Sequence, residues 1–309
     1  MDAHIVEPSR DRGGRACCGL YAPGVACATV VRALTTTSAP AVAVAPQYDS
    51  VHVYVAPQEV RRFVRSFLGT FGGTSSKAVA VTVTPTPSRA IWQFLQTPVG
   101  ALSVFGYTTP IPYPFGAERT GYLVENMDVA VKAARNSGAH ILVAAFPDAI
   151  GKDAIVEWPG GVDMQLYWHT KPPSSAALQT IPENRVYVSA DAVEEFMRSF
   201  MNFSKGKIVS DDAGAPGVEI GRPGLTYRRI RISSHFGKMT VLVTDGHLPY
   251  PYGRETTGFE VVNLAETITK AKVLGATVLV GPYTAAGRTA AMVEFPGGYI
   301  AEIHAPAGK

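Results

Sequence analysis

The chain has 309 residues, of which 46% are apolar and 17% charged, and a formal net charge of +3. That length suits about two domains of ordinary size, and that composition belongs to a globular chain with a sizeable buried core. The near-neutral balance gives no electrostatic ground for a nucleic-acid partner, and no run approaches the roughly 18 unbroken apolar residues that a membrane-spanning helix needs.

All three cysteines (Cys17, Cys18 and Cys27) precede residue 46, so the rest of the chain has no disulfide framework, no thiolate metal site and no cysteine nucleophile. Residues 1–47 differ in character from the rest of the chain. Arg10, Arg12 and Arg15 precede a small-residue, mildly apolar run, and an Ala-Val-Ala sequence stands at Ala41 to Ala43. This is the order of an export signal, although Pro23 and Arg32 interrupt its apolar part, and a disordered tail reads equally well. Either reading keeps residues 1–47 out of the core. The first implies an exported or periplasmic protein, the second a cytoplasmic one.

The ordered chain begins with a β-branched and aromatic strand, VHVYV (51–55), followed by Val60, Phe63, Val64 and Phe67 at the spacing of one helix face. RVYV (185–188) and then Val193, Phe196, Met197 and Phe200 repeat both elements. Strand-like runs follow each helix: KAVAVTVT (77–84), AIWQFLQ (90–96) and ALSVFGY (101–107) in the first half, TYRRIRIS (226–233) and KMTVLVT (238–244) in the second.

The clearest internal repeat starts at IPYPFGAERTGY (111–122) and LPYPYGRETTGF (248–259). It runs without a gap to EWPGGVDMQLY (157–167) and EFPGGYIAEIH (294–304), with roughly a third of positions identical. Within it, Asn126 and Asn263 stand as helix N-caps, Met127, Ala130, Val131 and Ala134 form a buried stripe, and Gly138 and Gly275 end the helices. The chain therefore reads as two modules, 48–170 and 183–306, joined by a Pro- and Ser-rich linker at 171–182. Each module is a pair of βαβββ units.

Paired βαβββ units with these helices and a final strand after a Pro-Gly-Gly turn resemble the vicinal oxygen chelate superfamily. The carriers are VHVYV with its helix, TGYLVENMDVAVKAARNSGAHI and EWPGGVDMQLY, together with their second-module copies. The resemblance implies an α+β fold of two tandem glyoxalase-like modules whose mixed sheets curl into cups, with the site on the inward strand faces. It does not select among isomerases, epimerases, dioxygenases and non-catalytic drug binders, all built on that scaffold.

The resemblance also says where metal ligands would fall. Glu302 on the last strand matches the family's metal-binding Glu and would serve as ligand or catalytic base, while its copy Gln165 is a weak ligand at best. Strand alternation places His304 on the face of Glu302, and Tyr167 and His169 on that of Gln165. The first-strand position falls at Ser50 or His52, and in the second module at Glu183 or Arg185; the second histidine of ring-cleaving dioxygenases is replaced by Arg119 and Thr256. An extradiol His, His, Glu triad is thus out of register. What remains is a partial metal set of His52, Gln165, Glu302 and His304 for a divalent ion such as Zn, Ni, Mn or Fe.

Trp92 and Phe94 align with Arg229 and Arg231, which suggests an apolar wall facing a guanidinium wall, with Tyr167, Arg185 and the loop residue His247 as further ligand contacts. The expected ligand is a small molecule, anionic or rich in oxygen. Two functions fit: a metal-assisted lyase or isomerase of the glyoxalase type, and a non-catalytic small-molecule binder of the bleomycin-resistance kind with a degenerate metal site. No phosphate loop or dinucleotide fingerprint calls for a nucleotide cofactor. A monomer and a homodimer are both compatible with two modules in one chain.

Overall fold

A computed structural model describes residues 41–308. The export-signal reading of residues 1–40 lies outside the described residues. The first module holds β1 (Ser50–Tyr54), α1 (Val60–Phe71), β2 (Thr74–Ser75), β3 (Val79–Val81), β4 (Ala90–Thr97), β5 (Gly100–Tyr107), β6 (Arg119–Leu123), α2 (Met127–Asn136), β7 (His140–Pro147), β8 (Gly151–Trp158) and β9 (Val162–His169). The second holds β10 (Glu183–Ser189), α3 (Val193–Ser204), β11 (Lys207–Pro216), β12 (Thr226–Ser234), β13 (Gly237–Thr244), β14 (Thr256–Glu260), α4 (Leu264–Val273), β15 (Thr277–Ala285), β16 (Arg288–Glu294) and β17 (Ile300–Pro306). No helix among the described residues is long and apolar enough to cross a membrane.

Each module makes its own mixed sheet. The first runs β2-β4-β5-β1-β6-β9-β8-β7, with β3 also on β4, and the second runs β11-β12-β13-β10-β14-β17-β16-β15. In both, the first strand pairs parallel with the last strand of its own unit (β1 with β5, β10 with β13) and antiparallel with the strand that opens the second half (β6, β14). That strand in turn pairs parallel with the last one of the module. The βαβββ reading holds twice over. The expected strand at 77–84 is instead a short piece, β3, preceded by the two-residue β2, and β11 is a strand that the apolar pattern did not mark, because most of its side chains are exposed.

The helices begin where the sequence says. Asn126 accepts a hydrogen bond from Val129 N and Asn263 one from Glu266 N, each at 3.0 Å, which satisfies a donor that the helix leaves open. Gly138 and Gly275 follow at φ +101° and +90°, a region that favours glycine.

The core lies behind the cups. Strand alternation sends Val51, Val53, Leu102 and Val104 backward onto Phe63 and Phe67 of α1, and there they meet Phe259, Leu264, Ile268 and Val293 of the second module. The complementary cluster joins Tyr122, Met127, Ala130 and Leu166 to Val186, Phe196, Phe200 and Ile230. Each half of one module thus packs against the opposite half of the other. Burying one such Phe side chain contributes about 1.5–3 kcal/mol.

The expectation that residues 1–47 stay out of the core needs correcting at its end. Val42 and Ala43 are buried in that second cluster, and Ala43 bridges to Val124. Backbone bonds from Val44 N to Leu123 O and from Glu125 N to Val42 O tie this segment to the end of β6.

Candidate functional site

The alternation that buries one strand face directs the other into the cup. In the first module Ser50, His52 and Tyr54 of β1, Trp92 and Phe94 of β4, Ser103 and Phe105 of β5, Asp153 of β8, and Gln165, Tyr167 and His169 of β9 all line one cavity of about 580 Å³. One side of it is aromatic: Trp92 stacks on Phe94 at 6.4 Å between ring centroids, and Tyr54 stacks on Phe105 at 5.5 Å. Gln47, Tyr48, Ala101, Phe115, Asp148 and the linker residues Pro173 to Ser175 also line it.

The polar floor is a chain of hydrogen bonds. Arg119 Nε donates to Gln165 Oε1 at 3.3 Å, which identifies that atom as the amide oxygen. His52 Nδ1, 2.9 Å from the same oxygen, therefore carries the ring proton and leaves Nε2 as an acceptor, 3.5 Å from Ser50 Oγ. Burial, and then the Arg119 charge, push the His52 pKa down to about 3, so the ring is neutral; the bond to Gln165 opposes this only in part. Gly121 makes room for it: a Cβ there would stand 2.8 Å from His52 Cε1.

Arg119 sits behind this floor. Its Nη1 donates to Pro114 O and Ala117 O and its Nη2 to Tyr54 Oη. Asp153 is only 6% exposed, and burial together with Asp148 pushes its pKa up to about 8, although the neighbouring Gln165 and Arg119 side chains act to lower it. The Tyr167 hydroxyl donates to Tyr48 O at the rim.

The second cup carries different chemistry on the same frame. Arg185 Nη1, in the residue that falls where the first module carries a histidine, lies 3.1 Å from Glu183 Oε1 and 2.5 Å from Glu302 Oε2. Arg288 reaches Glu183 at 3.1 Å and Glu302 at 3.9 Å, and His304 Nδ1 lies 3.4 Å from Glu302. Glu302 is fully buried, yet Arg185 and Arg288 outweigh that burial and hold its carboxyl below the usual range. Arg229 is clamped by Glu219 and Asp212. Arg231 is half-buried beside Arg288 and Arg229, and burial lowers its pKa.

These positions correct several expectations. His52 and Gln165 belong to the first sheet and Glu302 and His304 to the second, so the four do not form one metal set. Arg229 and Arg231 do not face Trp92 and Phe94 across a shared cavity; each pair belongs to its own sheet, and neither arginine lines the first cup. Arg185 is a partner of Glu302 rather than a lining residue of the cavity, and His247 stands on an exposed loop, its carbonyl accepting from Arg222. Trp92, Phe94 and Tyr167 line the first-module cavity.

The donor sets do not fit a divalent ion in either cup. In the first, the Gln165 oxygen and His52 Nδ1 are turned toward each other and a guanidinium stands beside them; in the second, both glutamates are held by guanidinium groups where a metal would sit. Among the described residues no three His, Cys, Asp or Glu side chains converge as a metal site.

Sequence reasoning missed Asp153, Asp148, Tyr54 and Phe105 as site residues. For Asp153 a signal existed: it is a charged residue at the head of the apolar run of β8, and its copy in the second module is Ala290.

No family model matches the chain, and neither does any curated protein. Its architecture is similar to that of several solved structures. A variant of 4-hydroxymandelate synthase from Streptomyces coelicolor superposes with a TM-score of 0.55 at 12% identity, covering 84% of this chain and 92% of that one. A variant of homoprotocatechuate 2,3-dioxygenase from B. fuscum gives 0.53 at 12% identity, over 87% and 72%. The 2,2',3-trihydroxybiphenyl 1,2-dioxygenase of Sphingomonas wittichii gives 0.51 at 10%, over 83% and 89%. At such identities the likeness speaks for the fold alone, and in that sense the chain has the vicinal oxygen chelate fold in two tandem modules.

Proposed function

We propose that the first module is a small-molecule-binding cup that works without a resident divalent metal, and that the second module is its structural counterpart. The observation that carries this reading is the contrast between equivalent positions. Where the second cup places Arg185, Arg229, Arg231 and Glu302, which pair internally or crowd one another, the first places His52, Trp92, Phe94 and Gln165 around about 580 Å³ of space. A cavity of that size with aromatic walls and a few convergent polar groups is the form of a binding site for an organic molecule.

The ligand that fits is flat and apolar through most of its length, stacking on Trp92 and Phe94, with a hydrogen-bonding end at His52 Nε2 and Asp153. This favours the non-catalytic binder over the metal-assisted lyase or isomerase, since the latter requires an open coordination position that Arg119 and Arg185 occupy with charge. The anionic ligand expected from Arg229 and Arg231 loses its support, because neither lines this cavity.

The test is calorimetric titration of chelator-treated protein with 2-naphthylmethanol, alongside the Ala101→Trp variant, in which an indole on β5 fills the cavity. The reading expects one-to-one binding to the wild type and none to the variant. Binding that requires an added divalent ion, or that survives Ala101→Trp, contradicts it.

A further inference from the structure

The charge inside the first cup defines the ligand further, on the reading just given. We infer that the cavity selects an organic cation: a flat aromatic or aliphatic body carrying an ammonium or amidinium group that is seated on Asp153 and against the aromatic faces.

Four observations lead there. The side chains lining the cavity include two acidic ones, Asp148 and Asp153, and no lysine or arginine among the described residues. Asp153 is buried with no cationic side chain within ion-pair distance among those residues, so in the empty cup its carboxyl tends to keep its proton, and a cation seated beside it supplies the counter-charge that favours the ionised form.

The walls supply the second half of a cation site. Trp92, Phe94, Tyr54, Phe105, Phe115 and Tyr167 present ring faces or edges to the space, and the electron-rich face of an aromatic ring attracts a cation within about 6 Å. Rings and a carboxylate at one cavity favour a positive ligand over a neutral one of the same shape, and disfavour a negative one.

Third, the ring and phenol donors of the floor are already engaged. His52 Nδ1 is engaged by Gln165, its Nε2 accepts, and the Tyr167 hydroxyl is engaged by Tyr48 O. A ligand that brings its own N–H donors finds acceptors here; a carboxylate or phosphate finds only neutral donors such as Ser103 and Gln96 and no cationic one.

Fourth, the nearest fixed cation has its donors engaged, Arg119 Nε by Gln165 Oε1 and Nη2 by Tyr54 Oη. Arg119 lies outside the lining and points its Nη1 at the carbonyls of Pro114 and Ala117, beside the rings of Tyr54 and Phe115 at 5.9 and 5.7 Å. The remaining groups facing Asp153 are His52 and Gln165 across the floor, Tyr54 and Tyr107 on the aromatic side, and Tyr167 and His169 on the adjoining strand.

Three probes of one shape test this: 2-naphthylmethylammonium, 2-naphthylmethanol and 2-naphthoate, each titrated at pH 7.5 into chelator-treated wild type, Asp153→Asn and Ala101→Trp. The inference expects the ammonium to bind at least about tenfold more tightly than the alcohol, and the carboxylate more weakly than either. It expects Asp153→Asn to abolish the preference, bringing ammonium and alcohol within roughly twofold of each other. Equal binding of ammonium and alcohol to the wild type, or a preference for the carboxylate, overturns the cation assignment but leaves the binding cup standing. Failure of all three to bind, with the wild-type protein folded by circular dichroism, overturns both.

Discussion

Arg185 closes the second cup by holding Glu302: its Nη1 lies 2.5 Å from Glu302 Oε2, and the same nitrogen lies 3.1 Å from Glu183. Both carboxylates would otherwise be buried side by side with Arg288 as the one remaining guanidinium beside them and His304 next to Glu302. Arg185→Met should therefore cost about 3–5 kcal/mol in urea denaturation, because it strands buried charges. Combining it with Glu302→Gln should recover more than about 1 kcal/mol of that loss, since the two residues act as a unit. Simple addition of the two single losses would show that they are not coupled.

Stability should peak on the acidic side of neutrality. Asp153, Glu118 and Glu255 are raised to about 8, each chiefly by burial. A raised carboxyl contributes stability that is fully present below its ordinary pKa near 4 and is lost as pH climbs to about 8, because the folded state keeps a proton that the unfolded chain releases. Glu183 works the other way: despite burial, Arg288 and Arg185 hold it down to about 2, so its contribution is present above its ordinary pKa and disappears as pH falls toward 2. Urea midpoints should be highest between about pH 4 and 5 and decline toward pH 8, with the decline shallower in Asp153→Asn. A midpoint that rises steadily from pH 5 to 8 would contradict this.

His52 should not titrate in the physiological range. Burial and Arg119 hold its pKa near 3, and Gln165 fixes the proton on Nδ1. Nitrogen-15 NMR of the imidazole should show one neutral Nδ1–H tautomer from pH 8 to pH 5. A midpoint near the ordinary value of 6.5 would mean that the ring is solvated rather than locked to Gln165.

The wall and the core should respond differently to truncation. Phe67 is fully buried among Phe63, Phe71, Phe259 and Phe295, so Phe67→Ala should cost about 3–5 kcal/mol. Phe94 borders open space, so Phe94→Ala should cost less than about 1.5 kcal/mol, by thermal denaturation, while weakening binding of naphthyl probes. Equal losses would mean that the cavity is closed in solution.

The fold was legible because its determinants are local and occur twice. The Asn126 and Asn263 caps, the glycines after each helix and the Pro-Gly-Gly turns act within a few residues of themselves, and period-two alternation placed Trp92, Phe94, Gln165 and Tyr167 on inward faces. The site was less legible because its meaning depends on partners distant in sequence. Glu302 looks like a ligand until Arg185, which lies 117 residues earlier, is seen to hold it, and Arg229 looks free until Glu219 is brought against it by the turn before β12. Alternation says which way a side chain points but not whose charge it meets. The same limit hid Asp153, whose significance lies in the absence of a cation around it among the described residues.

The central claim is that binding belongs to the first cup and needs no metal. The most direct measurement is a proton–nitrogen NMR titration of chelator-treated protein with 2-naphthylmethanol, following the Trp92 indole N–H and the Arg185 and Arg229 side-chain N–H signals together. The account predicts a saturable shift of the Trp92 signal while both arginine signals stay in place. Shifts confined to the arginines, or a Trp92 signal that moves only after a divalent ion is added, would contradict it.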